Sequence, residues 1–191
     1  MIALLFGYAF GSIPFGLIIT KLAGEGDVRD IGSGNIGATN VLRTGKKSLA
    51  ALTLVMDMVK GALPVIIAEN YAPGLGIYGG MGAFLGHLYP IWLRFKGGKG
   101  VATLLGVVAA LSWPFALIFA AVWLAGLAVF RFSSLSGILA SAAMPISAIG
   151  FERMDLLPVT IGFLVFILWK HRPNLQRLFS GSEPKVGAKK D

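Results

Sequence analysis

Residues 101–130 read VATLLGVVAALSWPFALIFAAVWLAGLAVF, with no charged side chain among them. A helix that crosses a bilayer needs about 20 apolar residues, with a range of roughly 17–25. The run is too long for one comfortable crossing and short for two. Trp113-Pro114 stands near its middle, and a proline removes a donor from the helical ladder. The stretch therefore predicts a hairpin of two short membrane helices. Further apolar segments lie at 1–21, 48–68, 75–93, 134–151 and 156–169. Together they predict an all-α, polytopic transmembrane helix bundle of about seven spans.

Composition points the same way. The chain has 191 residues, 55% hydrophobic and 14% charged, with a mean hydropathy of +0.76. Soluble domains average roughly 45–50% apolar and about 25% charged. The length suits one domain over 1–191, with no room for a sizeable soluble module. Residues 181–191 lack apolar periodicity and are expected to form a mobile tail. The first residues lack the basic region of a signal peptide, so they read as a permanent span.

The net charge of +8 does not indicate nucleic acid, because the cations sit in short segments between apolar runs. With seven spans, 15 of the 17 Lys and Arg residues share one side; the exceptions are Lys60, inside a span, and Arg153. That side is cytoplasmic by the positive-inside rule, which puts the N-terminus outside and the C-terminus in the cytoplasm. The absence of cysteine excludes disulfides and thiolate chemistry. Gly7/Gly11 and Gly82/Gly86 stand four apart, as in closely packed membrane helices. Simple tolerance of glycine in such helices explains them equally well.

Three polar clusters fall on the predicted cytoplasmic side, each rich in groups that bind oxyanions. The first spans 32–43 and holds Ser33, Asn35, Thr39, Asn40 and Arg43. Its opening matches G-x-G-x-x-G, but no buried strand precedes it, so a dinucleotide site is rejected. The second, 95–103, is Phe-Lys-Gly-Gly-Lys-Gly-Val-Ala-Thr. It is not a Walker A loop, since Gly100 follows Lys99. Successive N–H groups of Gly97, Gly98 and Lys99 could still face one anion at the start of a helix, with Lys96 and Lys99 supplying charge. The third places His171, Asn174 and Arg177 three apart, with Glu183 beyond. Plainer readings are a solvated connector, a basic turn and an interfacial histidine.

Asp57 and Lys60, three apart in a span, are expected to form a structural ion pair. His87 is a further intramembrane polar candidate. Ser134 and Ser136 could bind phosphate oxygens or cap a helix. No carboxylate or paired-histidine cluster suggests a metal site, and no G-x-S-x-G elbow suggests a serine hydrolase.

Taken in order, these motifs resemble the bacterial acyl-phosphate:glycerol-3-phosphate acyltransferase family. The resemblance runs from Gly11-Ser12-Ile13-Pro14 through 33–43, Asp57-Met58-Val59-Lys60-Gly61, Gly86-His87 and 95–103 to His171-Arg172-Pro173-Asn174, Arg177 and Glu183, with no departure at a motif position. It implies transfer of a fatty acyl group from acyl phosphate to the 1-hydroxyl of sn-glycerol 3-phosphate. It also implies a multi-pass protein of the plasma (inner) membrane, with its active site facing the cytoplasm. No cofactor or metal is implied. The partners implied are the two small substrates, membrane lipid and contact with the enzyme that makes the acyl phosphate.

By the same resemblance, Ser33, Arg43, His171 and Asn174 are the catalytic set. Asn35, Thr39, Asn40, His87, Lys96, Gly97, Gly98, Lys99, Ser134 and Ser136 would bind substrate, while Asp57, Lys60 and Glu183 would be structural. The rival class is a transporter for a phosphorylated metabolite, but no inverted repeat or pair of broken helices supports it.

Overall fold

The first apolar stretch does not form the continuous helix that its hydropathy predicts. In the computed structural model, which describes residues 1–187, it divides into α1 (Ile2–Gly11) and α2 (Phe15–Leu22). Pro14 has no N–H to donate, so the helical ladder fails here. Two side chains from later in the chain serve the carbonyls exposed at the break. Trp92 Nε1 donates to Ser12 O at 2.7 Å, and Lys60 Nζ donates to Ile13 O at 2.7 Å. Left unpaired in an apolar interior, such groups would cost about 1–3 kcal/mol each.

The chain forms two compact units, Met1–Trp113 and Pro114–Asp191, described separately below. In the first, a connector holds α3 (Ala38–Val41) and leads into α4 (Lys47–Tyr71), α5 (Gly76–Leu88) and α6 (Val101–Leu111). The glycine pairs prove to be packing devices. A Cβ on Gly7 or Gly11 would overlap the α5 backbone at Gly79 or Ala83, and one on Gly82 or Gly86 would overlap the α1 backbone at Leu4 or Tyr8. Gly61 and Gly106 bring α4 and α6 together in the same way, against Thr103 and Met58. The polar connector has its own apolar floor, where Leu17, Val28, Ile36, Val41 and Ala50 are buried together. This floor fixes the first polar cluster between α2 and α4.

The second unit holds α7 (Trp113–Phe130), which begins at the boundary, then α8 (Ser133–Gly150), α9 (Leu157–Lys170) and α10 (Arg172–Phe179). The expected break in 101–130 falls at the extended Ser112. It is not central: α6 has 11 residues and α7 has 18. Pro114 does not break a helix; it lies in the first turn of α7, where its missing N–H costs nothing. Gly126 faces Ser136, allowing α7 and α8 to approach closely.

All regular structure among the described residues is helical. Four stretches are long and apolar enough to cross a bilayer: Ile2–Leu22 taken through its break, Lys47–Tyr71, Trp113–Phe130 and Ser133–Gly150. Val101–Leu111 and Leu157–Lys170 are shorter. The segment expected at 75–93 is helical only as far as Leu88, about 20 Å at 1.5 Å per residue. Pro90 and the 3-10 turn Ile91–Leu93 follow. Only 17% of the residues of α7 are buried. That helix presents Leu117, Leu124 and Val129 outward, as an apolar solvent requires.

Residues 181–187 are tied into the second unit. Val186 N donates to Arg131 O at 2.8 Å, and Arg131 Nη2 donates back to Val186 O at 3.3 Å. The rest of the expected mobile tail, 188–191, lies outside the described residues.

Candidate functional site

In the first cluster the buried Asn40 is the organiser. Its Nδ2 faces three carbonyl oxygens, Val28 O at 2.7 Å, Asn35 O at 2.8 Å and Ile31 O at 3.1 Å. Its Oδ1 accepts from Ser33 N at 3.0 Å and Ser33 Oγ at 3.2 Å. The side chain expected to orient substrate is therefore engaged in holding the loop. Asn35 has a similar role: its Oδ1 accepts from Gly37 N at 2.9 Å. Gly32, with φ +55°, lies beneath the Arg43 side chain, and a Cβ there would collide with it. Ser33, Thr39 and Arg43 remain exposed, so this cluster offers a hydroxyl-lined, cationic surface on a rigid base. Beside it Arg29 grips Asp27 with Nε at 2.9 Å and Nη2 at 2.6 Å. The Arg29 guanidinium holds the Asp27 carboxyl well below the usual carboxylate range.

The second cluster lies where expected, directly before α6, with Gly100 at φ +89° as the residue preceding that helix. The expected cradle of successive N–H groups needs correction. Gly97 N donates to Leu88 O at 3.2 Å and Gly98 N to His87 O at 3.0 Å. These amides hold the loop against the end of α5. The glycines are required by crowding: a Cβ on Gly97 would overlap His87 O, one on Gly98 the His87 ring, and one on Gly100 the Phe84 ring. Lys96 is exposed and Lys99 half-buried. The first-turn amides of α6 lack helical partners by construction and add positive potential there.

Below this loop Asp57, Lys60 and His87 are buried. Lys60 Nζ lies 2.7 Å from Asp57 Oδ1, as the expected ion pair. His87 Nδ1 lies 3.8 Å from the same oxygen.

In the second unit the third cluster converges on Glu183. Ser134 Oγ donates to Glu183 Oε1 at 2.5 Å and Asn174 Nδ2 to the same oxygen at 2.6 Å. Arg177 Nε donates to Glu183 Oε2 at 2.7 Å. Burial alone would raise the Glu183 carboxyl; the three donors outweigh it and hold the group below its ordinary value. His171 is the joint between α9 and α10. Its buried Nδ1 lies 2.8 Å from Ile167 O. A carbonyl can only accept, so Nδ1 carries the proton. In the neutral ring Nε2 is then the nitrogen with the lone pair. Ser136 departs from expectation: it is buried and its hydroxyl donates to Phe132 O at 2.8 Å, within its own helix.

The structure thus groups Ser33, Asn35, Asn40 and Arg43 in one loop of the first unit, and His87, Gly97 and Gly98 in another region of it. His171, Asn174, Ser134 and Glu183 belong to the second. Sequence reasoning missed Trp92 as the partner of the helix break; Glu183, expected to be structural, is the acceptor on which Ser134, Asn174 and Arg177 converge. The available signal for Glu183 was a single carboxylate within the basic stretch 170–190.

A family described as glycerol-3-phosphate acyltransferase matches residues 1–181. The chain is 56% identical over 191 residues to a glycerol-3-phosphate acyltransferase of Mesorhizobium japonicum, covering 99% of this chain and 97% of that one. It is 54% identical over 187 residues to one of Brucella anthropi, covering 98% and 93%. Among solved structures it resembles PlsY (YgiH), described as an integral membrane glycerol 3-phosphate acyltransferase. To the glycerol 3-phosphate form of that protein the TM-score is 0.92, and to the lysophosphatidic acid form it is 0.88. Identity is 38% in each case, over 97% of this chain and 94% of that one.

Proposed function

The chain belongs to the glycerol-3-phosphate acyltransferase family, and on that premise we propose that it is a multi-pass membrane enzyme using acyl phosphate as donor. A fatty acyl group passes to the 1-hydroxyl of sn-glycerol 3-phosphate, giving lysophosphatidic acid and inorganic phosphate, the first step of phospholipid synthesis. The observation that carries this reading is the whole-chain likeness to a relative solved in two forms, one with glycerol 3-phosphate and one with lysophosphatidic acid. Those two molecules differ by one acyl group.

The chemistry suits the residues. The hydroxyl oxygen attacks the acyl carbon, the carbon–oxygen bond to phosphate breaks, and phosphate leaves with the bonding electrons. The donor is already activated, so no enzyme nucleophile is needed. Arg43, Lys96 and Lys99 neutralise phosphate charge, Arg43 with a fork suited to two oxygens. Ser33 and Thr39 offer hydroxyls. His171 Nε2 accepts the hydrogen bond of the attacking hydroxyl, and the proton passes to it or to a substrate phosphate, whose second pKa is about 6. Asn174 and Ser134, held by Glu183, keep the neighbourhood of that histidine fixed. The layout is seven spans in the plasma (inner) membrane with the N-terminus outside and these clusters facing the cytoplasm, as the distribution of Lys and Arg supports.

The test is phosphate release by purified protein supplied with synthetic acyl phosphate, with and without glycerol 3-phosphate. Acceptor-dependent release matched by equal lysophosphatidic acid is the expected result. Uptake of labelled glycerol 3-phosphate into vesicles without acylation would replace this reading with a transporter.

A further inference from the structure

We infer that His87 is a positioning residue for the Lys96–Lys99 loop and not a substrate ligand; this rests on the acyltransferase reading above. The ring lies directly under Gly98, close enough that a Cβ there would overlap Nε2 and Cε1. The same residue's carbonyl accepts the Gly98 amide at 3.0 Å. Loop and histidine are thus joined twice, once through backbone and once through ring contact. The other edge of the ring faces the Asp57 carboxyl group, with Nδ1 3.8 Å from Oδ1. Asp57 is in turn paired with Lys60 at 2.7 Å, and Lys60 is anchored to Ile13 O at the break of the first helix.

All three side chains are at least 97% buried, which suits a support better than a ligand for a charged substrate. A chain of contacts runs from the helix break through Lys60, Asp57 and His87 to Gly98, and it fixes the height at which Lys96 and Lys99 are presented. The Asp57 carboxyl bounds one edge of the ring, and the ring then sets where the loop backbone rests.

This makes a prediction about why position 98 is glycine. If Gly98 is needed because the ring lies beneath it, the defect of Gly98→Ala depends on His87. If Gly98 is needed because substrate approaches its backbone, the defect is independent of His87. The four proteins to compare are the wild type, Gly98→Ala, His87→Asn and the double variant. His87→Asn keeps a polar group near the Nδ1 position and removes Nε2 and Cε1. KM for each phosphate substrate, kcat and the thermal midpoint are measured on each purified protein.

Gly98→Ala is expected to raise KM for at least one phosphate substrate by about tenfold, a coupling typical of residues in contact. The double variant should recover most of that loss, and its thermal midpoint should exceed that of Gly98→Ala. A defect of folding alone would lower the yield of active protein and leave KM unchanged. Should Gly98→Ala fail to fold, recovery of folded protein in the double variant is the supporting outcome. Fold-changes in KM that simply multiply, or a double variant no better folded than Gly98→Ala, would overturn the inference. The thermal comparison needs no substrate. Coupling there with no acceptor-dependent turnover in the wild type would therefore sink the acyltransferase reading and leave the ring contact standing.

Discussion

The two units build their polar clusters by opposite means. In the first, Arg43 and Lys96 stand at the surface and Lys99 is half-buried, on loops held from beneath: Arg43 lies over Gly32 in a loop tied by the Asn40 side chain, and Lys96 and Lys99 flank glycines pressed against α5. In the second, the buried Ser134 and Asn174 and the half-buried Arg177 all donate to one buried carboxylate, Glu183. Exposed charge on a rigid loop suits capture of an anion that arrives from water. A largely buried network around one carboxylate suits holding polar side chains at fixed geometry. Side-chain substitutions in the first unit should therefore act on KM, and those in the second on kcat or stability.

The sharpest test of that contrast is His171→Gln. If Nε2 takes the proton, kcat falls by about 10²-fold or more. Retained kcat with a raised KM would place His171 among the binding groups and blur the distinction. Glu183→Ala is next: it leaves buried donors without an acceptor and should cost on the order of 1–3 kcal/mol, read as a lower thermal midpoint. Its pH dependence has a definite sign. The folded-state carboxyl is depressed, so its stabilising contribution is present above the ordinary glutamate range and is lost as pH falls through the lowered folded value. Wild-type midpoints should converge on those of Glu183→Gln in acid; parallel curves would mean that the carboxylate charge is not what holds the network.

Arg43→Lys should raise KM about tenfold, the loss of one charge-assisted hydrogen bond. The thermal midpoint should barely move, because Arg43 is exposed. A large stability loss instead would make Arg43 a structural brace of its loop. The smallest effect is expected at Ser136→Ala. Its hydroxyl bonds back to Phe132 O within the helix, so stability should change by no more than about 0.5 kcal/mol, with kcat and KM unaltered. A clear kinetic defect there would restore Ser136 to the substrate-binding set.

Much of this molecule was legible in the chain itself. Long uncharged apolar runs dictate helices, because in an apolar solvent every backbone amide must be bonded within its own segment. The chemistry of the clusters was likewise visible as residue types: an arginine, paired lysines and a histidine among amides and hydroxyls in three short stretches. What the sequence could not determine is which of those polar atoms are already engaged within the protein. Asn40, Gly97, Gly98 and Ser136 read as ligand groups and turn out to bond carbonyls or amides of their own fold. Glu183 reads as structural, but only the fold shows that its partners are Ser134, Asn174 and Arg177. The break at Pro14 was not anticipated from the hydropathy of 1–21, and its tolerance depends on Trp92 and Lys60, which lie 80 and 47 residues from the carbonyls they serve. Propensity and hydropathy are local properties of the chain. A hydrogen bond between residues so far apart exists only once tertiary packing has brought donor and acceptor together.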